Sequence, residues 1–151
     1  MKFVENNEYH DSDFWTSNYH DPKLNAWRGL AFEKLCLWHV PQIKEALGIS
    51  GVSARICSWY GKDDDGAKAQ IDLLIDRKDE LVNICEMKYS SSEYSITKKY
   101  AAELEKKIDI FIKATHTKKT PVLTFITNSG LKNNSYSDIA QKAITVHQLF
   151  R

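Results

Sequence analysis

Asp72, Glu86 and Lys88 fall within one stretch, QIDLLIDRKDELVNICEMK at positions 70–88, and their types and spacing suit chemistry on a phosphate group. The stretch is two short apolar runs joined by a charged turn. Each run alternates with a period of two, which predicts a pair of strands with one buried face. Ala69, Ile71, Leu73 and Ile75 take one face of the first strand, and Gln70, Asp72 and Asp76 take the other. In the second strand Glu86 and Lys88 share a face with Val82 and Ile84, opposite Leu81, Asn83, Cys85 and Met87. A hairpin turning about Asp79, with Lys78, Asp79 and Glu80 as its loop, sets Asp72 opposite Glu86 and Gln70 opposite Lys88. Directly opposed residues have Cβ atoms roughly 4.5–5.5 Å apart. A two- or four-residue loop without a bulge would instead send the two acids to opposite faces.

Like charges opposed on neighbouring strands cost stability unless a cation lies with them. Hard divalent cations take carboxylate oxygens, and Mg²⁺ uses one or two of them with water and substrate phosphate. The competing explanation is a solvated, charged sheet face on which Lys88 balances Glu86. Against it, Glu86 and Lys88 interrupt an apolar run containing Ile84, Cys85 and Met87. Such a strand belongs inside a sheet, where charge is expensive.

Ile71 and Asp72, followed fourteen residues on by the E-x-K of Glu86 and Lys88, after a helix bearing a glutamate, resemble the PD-(D/E)XK nuclease superfamily. More narrowly, WRGLAFE, QIDLLIDR, ICEMKYS and ITKKYAAELEKK in that order resemble the nuclease-like domain at the C-terminal end of a group of bacterial and archaeal ATPases. The resemblance runs from about Trp27 to the end of the chain, with Ile71 standing where the short motif has proline. It implies an α/β fold with a restriction-endonuclease-like α-β-β-β-α-β core, a mixed sheet flanked by helices. It also implies a Mg²⁺- or Mn²⁺-dependent endonuclease acting on nucleic acid, DNA in particular, with an ATPase module in cis or in trans.

On that reading Asp72 and Glu86 ligate the metal, with the Met87 backbone carbonyl as a third oxygen. Lys88 stabilises the attacking hydroxide or the developing charge as a positioned cation. Glu33 holds a metal-bound water or a second ion, and Gln70 orients the water or the lysine. Tyr94, Lys98 and Lys99 are candidate contacts to a phosphate backbone, although lysines on a helix are more often simply solvated. A two-fold dimer would suit a cut on both strands. The alternative is a non-catalytic nucleic-acid or protein interaction module serving an ATPase.

The elements that must position these groups are legible in outline. Asn25 is the expected cap of a helix over 26–47, with Leu24, Trp27, Ala31, Leu35, Trp38 and Gln42 along one apolar stripe and Leu30 and Leu37 beside it. Pro41 should kink or divide that helix, and Gly48 should end it. Residues 51–60 read as a strand, 61–68 as a solvated loop, 97–114 as a second helix and 121–127 as a short buried strand. Ile96, Tyr100, Leu104, Ile108 and Phe111 mark the second helix's buried stripe. A brief helical stretch near 135–141 and a last strand at 143–146 complete the chain. Helix, strand, hairpin, helix, strand is the order of a mixed sheet flanked by helices.

A chain of 151 residues is the size of one domain with its own core, here a polar, aromatic-bearing arm at 1–23 and a core at 24–151. Twenty-one Lys and Arg against twenty Asp and Glu leave a formal charge of +1. Any polyanionic partner must therefore be recognised through a local patch. Cys36, Cys57 and Cys85 are far apart and set among apolar neighbours, unlike a disulfide framework or a zinc site. They read as thiols in a reducing compartment. With no apolar run near the ~18 residues of a membrane span and no signal peptide at MKFVENNEYHDSD, the expected location is the cytoplasm.

Overall fold

The computed structural model describes residues 21–150, so the expected arm lies outside the described residues except for its last three positions. The chain enters at α1 (Pro22–Trp38) and α2 (Val40–Ala46), followed by β1 (Ala54–Lys62), β2 (Lys68–Arg77) and β3 (Leu81–Lys88). Then come α3 (Lys98–Thr115), β4 (Thr120–Thr127), a 3₁₀ turn (Ser137–Ile139), β5 (Lys142–Thr145) and α4 (Val146–Leu149). The strands form one sheet in the order β1-β2-β3-β4-β5. β1–β2 and β2–β3 pair antiparallel, while β3–β4 and β4–β5 pair parallel. This is a mixed sheet flanked by helices, as the order of elements predicts; β5 is the expected last strand, set one residue earlier, and α4 lies beyond the expected elements.

Two apolar layers fill the space between sheet and helices. On one side Phe32, Cys36 and Ile43 of α1 and α2 pack with Leu73, Ile75 and Cys85. On the other, Leu104 and Phe111 of α3 pack with Ile71, Leu74, Ile84 and Phe125. α3 carries the chain from β3 to its parallel neighbour β4, which no tight turn could do. Thr97 caps it, its hydroxyl accepting from the Tyr100 N–H at 3.1 Å.

α1 departs from expectation at both its start and its stripe. Its cap is Asp21, whose carboxylate accepts from the Lys23 and Leu24 N–H groups at 2.8 and 3.4 Å, with Pro22 as the first helical residue. Asn25 lies inside the helix. The buried residues are Leu24, Phe32 and Cys36, whereas Leu30 and Trp38 are 62% and 78% exposed. Apolar residues surround this helix on every side, so spacing could not choose the face; Phe32 and Cys36, one turn apart, are the ones the sheet admits. The division expected at Pro41 falls at His39, leaving Pro41 in the first turn of α2 where its missing N–H costs nothing. Gly48, at φ +72°, ends α2: its N–H donates to Glu45 O and the Ile49 N–H to Lys44 O, the paired bonds of a Schellman cap.

The central hairpin keeps the predicted register, with Leu73↔Cys85, Leu74↔Ile84, Ile75↔Asn83 and Asp76↔Val82 paired around the loop at 78–80. Glu80, the last loop residue, takes the left-handed conformation that a three-residue hairpin requires (φ 67°). The predicted alternation breaks in β2, however. Against β1, pairing passes from Cys57↔Leu74 directly to Trp59↔Ile71, so Asp72 and Leu73 together oppose Ser58 in a β-bulge. Ile71 therefore packs with the α3 layer while Leu73 and Ile75 pack with the α1 layer. Asp72 sits where the two faces exchange.

Candidate active site

Glu33 on α1, Asp72 at the bulge of β2, and Glu86 and Lys88 on β3 lie within one electrostatic field. Burial pushes the Glu33 carboxyl above its ordinary value; Asp72 raises it further, Lys88 opposes the rise, and Glu86 adds to it. Asp72, Lys88 and Glu86 are thus each near enough to act on the Glu33 carboxyl. A carboxyl whose pKa is raised by folding binds a proton more readily in the native state, so stability falls as pH climbs from the ordinary carboxylate range through the native pKa. Relative to Glu33→Gln, the wild-type melting temperature should drop across that window and converge with the variant below it. Parallel melting curves across the whole pH range would contradict the placement of Glu33.

The acids are not paired as the alternation predicts. β2–β3 pairing stops at Leu73↔Cys85, one residue short, so neither Asp72↔Glu86 nor Gln70↔Lys88 is a rung of the ladder. The bulge turns the strand at that point and each acid finds its own partners. Asp72 is exposed and accepts from Gln70 Nε2 at 2.8 Å. Glu86 is only 8% exposed, and both of its oxygens are engaged by α3. The Tyr100 hydroxyl donates to Oε2 at 2.8 Å and Lys107 Nζ to Oε1 at 2.6 Å. Burial and then Glu86 hold the Tyr100 phenol strongly protonated. Lys88 Nζ lies 5.0 Å from the centroid of the Tyr100 ring, within cation–π range.

Tyr100 and Lys107 are the residues that reading the sequence for chemistry missed. The signal was present: Tyr100, Leu104, Lys107 and Phe111 are spaced as one helical stripe, and a lysine within an apolar stripe needs an anionic partner. Tyr94 is half-buried, its ring edge-on to Tyr100 with centroids 6.2 Å apart, and burial followed by Glu86 raises its phenol. Lys98 and Lys99 are exposed at the first turn of α3. Met87 is held in the β3–β4 ladder opposite Ile126, its side chain against the α1 layer.

The donor set matches a hard divalent cation in kind, and such an ion would offset both the burial of Glu33 and the lesser repulsion from Asp72 and Glu86. Against the match, Glu86 already has a lysine on one oxygen. Among the described residues no group of three His, Cys, Asp or Glu side chains is arranged to hold a metal ion. All three cysteines are free thiols, Cys36 and Cys85 buried and Cys57 half-buried. Burial pushes the Cys36 thiol up to about 12, in keeping with its place in the α1 layer. Among the described residues no helix is long and apolar enough to cross a membrane.

No family model and no curated protein matches the chain. Among solved structures it is similar to one described as "Crystal Structure of Protein of Unknown Function AF1548", with 14% sequence identity and a TM-score of 0.43. The likeness covers 65% of this chain and 50% of that one, so the chain spans about half the length of that protein.

Proposed function

We propose that this chain is a metal-dependent nuclease-like domain of the PD-(D/E)XK type that hydrolyses phosphodiester bonds in DNA and works with an ATPase module. The observation that carries the reading is the shared field of Glu33, Asp72, Glu86 and Lys88, drawn from one helix and two adjacent strands. A bound Mg²⁺ would supply polarisation of the phosphoryl oxygen and acidification of a water. Asp72 and Glu86 would hold that ion, Glu33 would accept hydrogen bonds from its water, and Lys88 would face the charge developing on the phosphate. Lys98 and Lys99 support an anionic substrate in a second way. They sit at the start of α3, where the helix dipole is also positive, so both cations are held against the preference of their own helix. A phosphate backbone would satisfy them.

Titration of Mn²⁺ into the protein by calorimetry tests the reading. Saturable binding that is lost in Asp72→Ala and in Asp72→Ala/Glu86→Ala is expected. The caging of Glu86 by Tyr100 and Lys107 favours a second reading, in which the acid is structural and the domain is a non-catalytic module that binds nucleic acid or protein for an ATPase. Absence of binding to the wild-type protein, with or without DNA, would give that reading the lead.

A further inference from the structure

We propose that Lys107 is a resident counter-ion on Glu86 that a divalent cation must displace, and so a positioning residue that sets the protein's affinity for metal. The inference rests on the reading of Asp72 and Glu86 as a cation site, and it concerns a residue outside that motif. The geometry is specific. Lys107 Nζ lies 2.6 Å from Glu86 Oε1, with the two side chains 27% and 10% exposed. The other oxygen accepts from the Tyr100 hydroxyl, so each Glu86 oxygen already has a partner on α3.

An ammonium and a divalent cation on one carboxylate repel each other, so an ion on Glu86 weakens its hold on Lys107. An incoming ion would replace the ammonium on Glu86, and the acid would remain paired throughout. Lys107 has somewhere to go: its head is partly in water and its stem has four rotatable methylenes. Metal binding would thus be coupled to release of the Lys107 ammonium, while the Tyr100 hydroxyl keeps the carboxylate oriented. The neighbouring Lys106 is exposed, so removing its charge tests for long-range electrostatics alone.

Mn²⁺ calorimetry on Lys107→Gln, Lys107→Arg and Lys106→Gln separates these effects. Lys107→Gln should bind about tenfold more tightly than wild type, the scale of a partly buried charge pair. Lys107→Arg, which keeps a cation on Glu86, and Lys106→Gln should both stay near the wild-type affinity. A second measurement uses the wild-type protein and does not depend on a variant folding. Amine acetylation followed by peptide mass analysis should show Lys107 reacting faster at saturating Mn²⁺, with Lys106 unchanged. Unchanged affinity in Lys107→Gln, equal tightening in Lys106→Gln, or unchanged Lys107 reactivity would each overturn the inference. If wild type binds Mn²⁺ and Asp72→Ala does not, such a result sinks this inference alone. If neither wild type nor any variant binds, the cation site itself falls, and this inference with it.

Discussion

Asp72→Ala is expected to lower Mg²⁺-dependent cleavage of DNA by about a thousandfold, the loss of roughly 4 kcal/mol of transition-state stabilisation that a metal ligand helps supply. Asp72 is the better probe than Glu86 because the fold makes little use of it. It is exposed, and its described hydrogen bond is to the neighbouring Gln70 side chain. Glu86→Ala would instead strand Tyr100 and Lys107, so a loss of activity there would mix chemistry with unfolding. The thermal midpoint of Asp72→Ala should match wild type, and it should bind a short DNA duplex with comparable affinity. Cleavage at the wild-type rate by a folded Asp72→Ala protein would remove the proposed hydrolytic role. Cleavage by neither protein, across single- and double-stranded DNA and RNA, would favour the interaction-module reading.

Phe125→Ala should have the largest effect on stability, about 3–5 kcal/mol, which lowers the melting temperature by about 10 °C in a domain of this size. Phe125 is fully buried in the α3 layer, where the rings of Tyr94 and Tyr100 lie against it with centroids 6.2 and 6.3 Å away. Deleting the ring leaves a cavity at the foot of Tyr100, the residue that orients Glu86. The variant should therefore bind metal less tightly even under conditions where it remains folded. Trp38→Ala is the contrasting case. Trp38 is larger and apolar, but 78% exposed, so its removal should change stability by about 0.5 kcal/mol or less. Denaturant midpoints at unchanged slope would measure both; a Trp38 effect equal to that of Phe125 would contradict the assignment of the α1 faces.

The sequence disclosed the hairpin because two independent signals agreed there. Period-two alternation marked the strands, and a charged three-residue turn set the register that the pairs Leu73↔Cys85 to Asp76↔Val82 follow. α3 was equally legible from its well-segregated apolar stripe, although its cap proved to be Thr97, the first residue of the expected helix. α1 was not: Leu30, Leu37 and Trp38 are as apolar as Phe32 and Cys36, and only the shape of the sheet decides between them. The bulge at Asp72 and Leu73 was hidden for a different reason. Both faces of β2 meet apolar layers at this point, so Ile71, Leu73 and Leu74 are all buried and the pattern is consistent with either phase. Three acids and a lysine could be chosen from the motif and the preceding helix. The partners Tyr100 and Lys107 depend on how α3 lies across the sheet, which no local pattern specifies.

The same crossing bears on how the protein comes to be folded. β1, β2 and β3 are joined by short hairpins, so their contacts close small loops and form at little entropic cost. β4 must instead find β3 across the whole segment that contains α3, and β5 must then find β4. Contacts of that kind, distant in sequence, slow folding. Within that segment, Tyr100 and Lys107 lie only 14 and 21 residues from Glu86, separations like those inside the hairpins. The hold of α3 on Glu86 therefore needs no longer loop than the hairpins do, and it is the closing of β4 and β5 onto the sheet that carries the large entropic cost.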